Sequence, residues 1–447
     1  MQQADIESQP VRRLRLPAFP SFPAIATGNV VRTFGPSAVR LTGAGIQFIN
    51  TILIARLLGE AEAAPFFFWS AILMSWAPIA TYGLEQLALR HTPRLKSDGP
   101  DVVGAFLAPL RMMSILAAAL IGFGLIGYAV LQDLSAGGFQ TWHLLMPIAV
   151  ASMALCSING EALKGLSHPT WGMVYGHFIP VSTFLLCICL LWSKASSPIL
   201  LTAYTGSYLL AVLLARFGPV SEFRRPHFAI PPREKITQIL KDGLPVCSVN
   251  LFGALSFVIP LAILEHTRSP GEVTHVIAAF RISILFGIVS TAIHGVFAPN
   301  LAEAADQPNP LRPVMGIYLK SVWITLGVLL IPLLIGVAYP GEIMQIFGPG
   351  FDDASTTLIL LLLIQVASLT LGPVLLLLLM AGHTRTMAWL GFCKLLVAAS
   401  LALVLVPKWG GPGMVVTMAI AFLGEEIFGM GIVIRRMWKT SRAESRG

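Results

Sequence analysis

The stretch that decides the fold is STTLILLLLIQVASLTLGPVLLLLLMA, residues 355–381, which contains no charged residue. A helix of this length crosses roughly 30 Å of hydrocarbon, which is the thickness of a typical bilayer core. Its leucine runs at 358–363 and 375–379 lack the apolar–polar alternation of a barrel strand. In lipid, backbone N–H and C=O groups must form hydrogen bonds within the protein, and a helix satisfies this requirement by pairing its own groups. The segment therefore predicts a transmembrane helix.

Similar apolar runs recur along the whole chain and predict about twelve transmembrane helices. They are separated by helix-breaking sequences such as Gly59-Glu60, Gly137-Gly138 and Gly410-Gly411-Pro412. Of the 447 residues, 55% are hydrophobic and only 12% are charged. Soluble domains carry roughly 25% charged residues, so the composition also predicts an all-α integral membrane protein.

The net charge of +8 indicates topology rather than nucleic-acid binding. The basic residues form no face with interleaved aromatic side chains, so no nucleic-acid partner is expected. They concentrate instead in alternate loops, and the positive-inside rule assigns those loops to the cytoplasm. The sequence thus predicts a multi-pass membrane protein with both termini cytoplasmic.

The chain repeats short motifs in the same order in its two halves. Arg56-Leu57-Leu58-Gly59-Glu60 has a counterpart in Arg268-Ser269-Pro270-Gly271-Glu272, and Gly138-Phe139 has one in Gly350-Phe351. Such repeats predict two parallel six-helix bundles with a cavity between them. The predicted divisions are a basic tail at 1–35, a bundle at 36–217, a basic linker at 218–242, a bundle at 243–434 and a basic tail at 435–447.

Motifs for catalysis, cofactors or metals do not emerge from the sequence. The run Gly122-Phe123-Gly124-Leu125-Ile126-Gly127 fits a dinucleotide-binding pattern but lies inside an apolar span without a preceding strand. The five cysteines lack metal-ligand spacing. We therefore predict a protein that is not an enzyme and that needs neither a cofactor nor a metal.

Polar residues inside the predicted spans are the candidate functional residues. A charge at the bilayer centre costs about 2.5–3.5 kcal/mol or more unless it faces a wet cavity. Arg40, Gln47 and Asn50 share one face of the first span, and Arg281 lies in the matching part of the second half. Arginine binds phosphate bidentately and stays charged, so these four residues predict a site for a phosphorylated ligand.

Other intramembrane polar residues admit two interpretations. One is a role in coupling or in lining the cavity, and the other is helix packing or contact with the membrane interface. The candidates for the first role are Glu85, Glu161, Lys164, His294 and Lys394. Span ten adds Gln365 and Ser368, whereas Glu425 and Glu426, near the end of the last span, favour packing or an interfacial position.

Several motifs together resemble one transporter family. Ala55-Arg56-Leu57-Leu58-Gly59 and Tyr82-Gly83-Leu84, with Ala278-Ala279-Phe280-Arg281-Ile282 in the second half, are similar to signatures of the polysaccharide-transporter branch of the multidrug/oligosaccharidyl-lipid/polysaccharide exporters. Ala381-Gly382-His383 and Val406-Pro407-Lys408-Trp409-Gly410 resemble its closing section. The likeness extends over about residues 35–435.

The resemblance implies a fold and a function. Members form V-shaped pairs of bundles, as in the multidrug exporters of the superfamily, and flip undecaprenyl-diphosphate-linked oligosaccharide for O-antigen or exopolysaccharide synthesis. Cationic cavity residues hold the diphosphate, which assigns that role to Arg40 and Arg281. Expected partners are this lipid-linked oligosaccharide, membrane lipids, and polymerase and chain-length proteins of the same pathway. The alternative is a multidrug or small-solute cation-coupled antiporter, although span one lacks the acidic residue of many drug–cation antiporters.

Overall fold

A computed structural model describes residues 27–136, 140–216, 233–305, 311–371 and 384–444, and side chains near the edges of several of these ranges lie outside the description. The regular structure in these ranges is helical. Nine segments are long and apolar enough to cross a membrane, and two of them, Ala38–Ala80 and Arg385–Arg435, each contain a pair of helices. Together with the 36-residue helix Pro270–Ala305, they match the predicted spans in order.

The described residues of the first half form seven α-helices that pack mainly on one another. Their bounds are α1 Thr27–Ala80, α2 Leu84–Leu95, α3 Pro100–Ala136, α4 Met146–Gly165, α5 Pro169–Met173, α6 Ile179–Leu190 and α7 Ser197–Ala215. A π-helical turn, Val174–Phe178, joins α5 to α6 into one continuous span. Helix α4 lies at the centre, in contact with α1, α2, α3 and α7.

In the second half, the part of the chain that the structure describes forms six further α-helices. Their bounds are α8 Arg233–Thr267, α9 Pro270–Ala305, α10 Leu311–Ala338, α11 Pro340–Met344, α12 Ser355–Leu371 and α13 Thr384–Glu444. Helix α13 packs along α8 and α12, and α9 packs against α10 and α12. The main contacts between the halves join α1 to α8 and α9.

Two glycines divide the longest helices into pairs of spans. Gly59 in α1 and Gly410 in α13 have non-helical backbones with positive φ values of 74° and 59°. This region of backbone space is sterically unfavourable for residues with a Cβ, so glycine permits the chain to reverse there. The predicted breaks at both positions are confirmed.

The apolar core shows that the two halves meet at one end and separate at the other. One continuous cluster joins residues of both halves, including Ile54 and Phe67 of α1 with Val273 and Ile277 of α9. Beyond it the core divides into a first-half cluster around Leu107 and Leu163 and a second-half cluster around Val314 and Met387. We call the end that carries Gly59 and Gly410 the closed end, and the opposite end the open end.

At the open end, the two halves remain in contact along one side, where the connection between α1 and α2 meets α8. Gly83, between α1 and α2, lies so close to α8 that a Cβ would meet the Cβ of Val246 at 2.9 Å. Gly243 of α8 in turn lies against the backbone oxygen of Tyr82. The small residues allow direct backbone approach here, as they do between helices in membranes generally, and Asn250 Nδ2 of α8 donates to the backbone oxygen of Pro78 in α1 at 3.3 Å.

A glycine pair holds α4 against α5. A Cβ on Gly172 would overlap the backbone oxygen of Gly160, and a Cβ on Gly160 would meet the Gly172 oxygen at 3.0 Å. The glycines of the segment 160–165 therefore have a packing role.

The substitution Gly172→Leu should destabilise the first half by about 1–3 kcal/mol, since a side chain there must push two helices apart. Gly206→Leu is the matched control, because nothing lies within 4 Å of a Cβ built at Gly206. Thermal unfolding of detergent-purified protein measures the difference. Equal stability of the two variants would contradict this account of the helix crossing.

Candidate functional site

A cavity of about 450 Å³ lies between the halves near the middle of their helices. Its walls come from the second part of α1 and from α8, α9, α12 and α13. The lining is mainly apolar, with a few polar side chains directed into it. Because five spans from both halves converge on it, a change in the angle between the halves must change its shape.

Arg281 of α9 is the charged residue in this pocket. Its guanidinium Nη2 approaches the Sδ of Met74 in α1 at 3.6 Å, a weak contact between the two halves. Among the described residues, no carboxylate lies within ion-pairing distance of it. The pocket thus presents a permanent positive charge that the surrounding protein does not neutralise.

Polar and aromatic side chains surround this charge. Gln365 and Ser368 of α12 line the pocket beside Arg281, together with Ser75 of α1. Phe257 and Phe280 also line it, and their ring centroids lie 5.2 Å apart. Amide and hydroxyl groups can both donate and accept hydrogen bonds, so the pocket combines a cationic centre with neutral polar contacts.

A buried ionic cluster lies directly behind one wall of the pocket. Lys394 Nζ and Glu425 Oε2 of α13 are 2.6 Å apart, with side chains 8% and 6% exposed. The hydroxyl of Ser368 donates to Glu426 Oε1 at 2.6 Å. Lys394 also lies 4.5 Å from the ring centroid of Phe422, which lines the pocket.

Contacts between the halves at the closed end converge on Glu60. Its carboxylate Oε2 lies 2.8 Å from His275 Nε2, and its backbone oxygen accepts a hydrogen bond from Thr274 Oγ1 at 2.8 Å. Arg56 Nε donates to the backbone oxygen of Ile346 at 2.7 Å nearby. These contacts join the first junction of α1 to the second half and close the pocket on that side.

The four predicted ligand-binding residues are distributed over different parts of the structure. Arg281 lies in the pocket, whereas Arg40 is exposed near the open end of α1. Gln47 is half-buried and does not line the pocket. Asn50 is fully buried, and its Nδ2 donates to the backbone oxygen of Val181 in α6 at 3.0 Å. The face of α1 that carries Asn50 thus packs inside the first half.

The predicted coupling residues also separate into different environments. Glu85 is buried at the start of α2, beside Thr81 and Asn250 at the seam between the halves. Glu161 and Lys164 form a partly exposed pair at 2.6 Å in α4. The side chain of His294 lies outside the described residues. Lys394 is buried against Glu425, as described above.

Sequence reasoning missed the closed-end contacts and the partners of two glutamates. Glu425 and Glu426 are 8% and 7% exposed as whole residues inside the second half, in agreement with the packing role that was one of their two predicted roles. The pairing could not be read from spacing, because Lys394 and Ser368 reach them from other helical segments. The sequence did single out Glu60, because it is the last residue of the repeated motif at 56–60, and Glu272 is the last residue of the matching motif at 268–272.

The helices, the two-bundle arrangement and the charged pocket define a multi-pass helical membrane protein with a site between its halves. A family model described as "Polysaccharide biosynthesis protein" matches residues 33–305, which is more than half of the chain. The chain belongs to this polysaccharide biosynthesis protein family.

A curated relative and two solved structures are similar to the chain. The probable low-salt glycan biosynthesis flippase Agl15 of Haloferax volcanii is 23% identical over 334 residues, which cover 71% of this chain and 65% of that relative. The match thus spans slightly less than two thirds of the relative's length.

The two structures are an inward-facing multidrug resistance MATE family transporter of the MOP superfamily and the lipid II flippase MurJ in an inward closed conformation. Each has a TM-score of 0.72 and 13% identity and covers 92% of this chain; the matches cover 99% and 90% of those chains, respectively. At this identity the likeness establishes the fold, and the predicted fold class is confirmed.

Replacing Lys394 by methionine should destabilise the second half by about 3–5 kcal/mol, because Glu425 would keep a buried charge without its partner. The double variant Lys394→Met/Glu425→Gln should recover most of that loss, since it removes both charges. Thermal unfolding of the purified variants measures the difference. A single variant as stable as the wild type would contradict the pairing.

Proposed function

We propose that the protein is a flippase that moves undecaprenyl-diphosphate-linked oligosaccharide from the cytoplasmic to the periplasmic leaflet of a bacterial inner membrane by alternating access. The observation that carries the proposal is Arg281, a guanidinium in a pocket between two bundles to which the described part of the chain brings no carboxylate partner. The product of the pathway would be an O-antigen or exopolysaccharide.

The charge of the pocket selects the ligand class. A guanidinium remains ionised at physiological pH and offers a planar pair of donors that match a phosphate group. Placing that charge within a bilayer-spanning helix is unfavourable unless water or an anion reaches it. A diphosphate headgroup satisfies this requirement. Cationic drugs would be repelled by Arg281, which disfavours the drug-antiporter alternative.

The size and lining of the pocket suit a headgroup rather than a whole lipid. A volume of about 450 Å³ lies within the usual range for small-ligand sites. Gln365 and Ser368 provide hydrogen bonds for sugar hydroxyl groups beside the cationic centre. The polyprenyl chain would remain in the bilayer, where burial of each CH₂ group is favourable by about 0.8 kcal/mol.

The arrangement of the halves supports alternating access. The V is joined at the closed end by Glu60 and its partners, and its core is divided at the open end. We assign the open end to the cytoplasm, because the basic termini and linker belong to that side under the positive-inside rule. The ligand would then enter from the cytoplasmic leaflet and leave once the Glu60 contacts separate.

The membrane potential is the energy source that we propose. Moving one charge through 100 mV changes its energy by about 2.3 kcal/mol, so a headgroup of charge near −2 gains roughly 4–5 kcal/mol on leaving an interior-negative cell. This bias requires no nucleotide. Proton antiport through Glu85, Glu161 or His294 is the competing source, with Glu85 favoured by its burial at the seam between the halves.

The substitution Arg281→Ala should reduce flipping of a diphosphate-linked glycolipid in proteoliposomes at least tenfold, because it removes the phosphate-binding charge, whose interaction is worth about 1.5–3 kcal/mol. Arg281→Lys should retain part of the activity, since it keeps the charge but loses bidentate binding. Arg312→Ala is the matched control at an exposed position of α10. Wild-type flipping by Arg281→Ala would remove the site assignment.

Collapsing the membrane potential while the pH gradient is held should slow flipping in the same proteoliposomes, since the charge of the headgroup then no longer favours export. Collapsing the pH gradient at constant potential should have little effect. The reverse pattern would show that protons, rather than the potential, supply the energy.

A further inference from the structure

The ionic cluster behind the pocket contains two carboxylates but one ammonium group. Glu425 is paired with Lys394 at 2.6 Å, and this pair is buried. Glu426 has a neutral partner, the Ser368 hydroxyl, on Oε1. Its other oxygen, Oε2, is buried and makes no hydrogen bond.

This arrangement is electrically unbalanced when both acids are ionised. A buried charge without a counter-charge is strongly unfavourable, and such a group usually becomes neutral instead. At Glu425 a negative charge is compensated by the ammonium group of Lys394 in direct contact. Glu426 is only 7% exposed and has no such partner among the residues that the structure describes, so it is the carboxylate at which a proton makes the cluster neutral.

Two side chains contact both the ionic cluster and the pocket. Ser368 lines the pocket and donates to Glu426, while Phe422 lines the pocket and contacts Lys394. A ligand in the pocket is therefore close enough for its binding to depend on the charge of Glu426. The other titratable or charged groups facing Glu426 are Glu425 and Lys394 of α13, Tyr318 of α10 and, across the pocket, Arg281 of α9.

We propose that Glu426 is a proton-binding site whose occupancy is linked to the binding of an anionic ligand in the Arg281 pocket. The linkage rests on the proposed function, whereas the proton site itself stands on the cluster geometry. A negative charge on Glu426 opposes an anion in the pocket, so protonation strengthens anion binding. By reciprocity, the anion strengthens proton binding by the same factor, and couplings of this kind usually amount to about 5–150-fold.

The sign of the pH dependence follows from this linkage. Mildly acidic pH favours protonated Glu426 and therefore tighter binding of the anion, whereas mildly alkaline pH favours the charged form and weaker binding. The diphosphate titrates as well, but it does so identically with every variant of the protein. The comparison between variants therefore isolates the contribution of Glu426.

Calorimetry on the purified full-length protein in nanodiscs tests the linkage, with farnesyl diphosphate as the probe. In wild type, binding should tighten at acidic pH and take up protons from the buffer. In Glu426→Gln, the change in binding affinity between acidic and alkaline pH should be smaller than in wild type by a factor of at least about five. Glu342→Gln, at an exposed position of α11, is the matched control and should behave as wild type. Unchanged pH dependence in Glu426→Gln would overturn the linkage.

Infrared spectroscopy without ligand tests the proton site separately. Wild type should show a carboxylic-acid C=O band that titrates with pH and that is missing in Glu426→Gln. Glu426→Asp keeps the titratable group and should keep a shifted band, which separates loss of the proton from loss of folding. The same band in Glu426→Gln would overturn the site. Failure of farnesyl diphosphate to bind wild type would instead overturn the proposed function and, with it, the linkage.

Discussion

The structure depends on one constraint, which is that an arginine charge is kept within a helical membrane protein while no carboxylate of the described ranges pairs with it. A guanidinium does not lose its proton under physiological conditions, so the surroundings have to accommodate the charge. At Arg281 they do so with a pocket between the halves and two polar side chains of α12. Glu425 and Glu426, behind the wall of the pocket, bind Lys394 and Ser368.

The two halves therefore differ in where they place their polar and charged groups. The first half packs its polar groups internally, as the bond from Asn50 to Val181 and the pair of Glu161 with Lys164 show. The second half provides most of the pocket wall and places its ionic cluster against it. Charge in the second half thus lies in the pocket and behind its wall, while the first half contributes Ala71, Met74 and Ser75 to the lining.

Much of the architecture could be predicted from the sequence, because apolar runs of membrane length and helix-breaking glycines are local signals. The reversals at Gly59 and Gly410 and the placement of Arg281 in a cavity belong to this group. The direction in which Asn50 faces could not be predicted, since it depends on how α1 is rotated against α6. The burial of Glu425 and Glu426 likewise depends on Lys394 and Ser368, which approach from other helical segments.

The convergence of contacts on Glu60 has a consequence for how the molecule changes shape. A single residue holds His275 through its carboxylate and Thr274 through its backbone, and it also lies against Gly271 and Gly350. These interactions share one short turn, so none can be released gradually while the others persist. Under the proposed alternating access, we therefore expect these contacts to break together, so that the halves act as a bistable pair rather than as a continuously adjustable hinge.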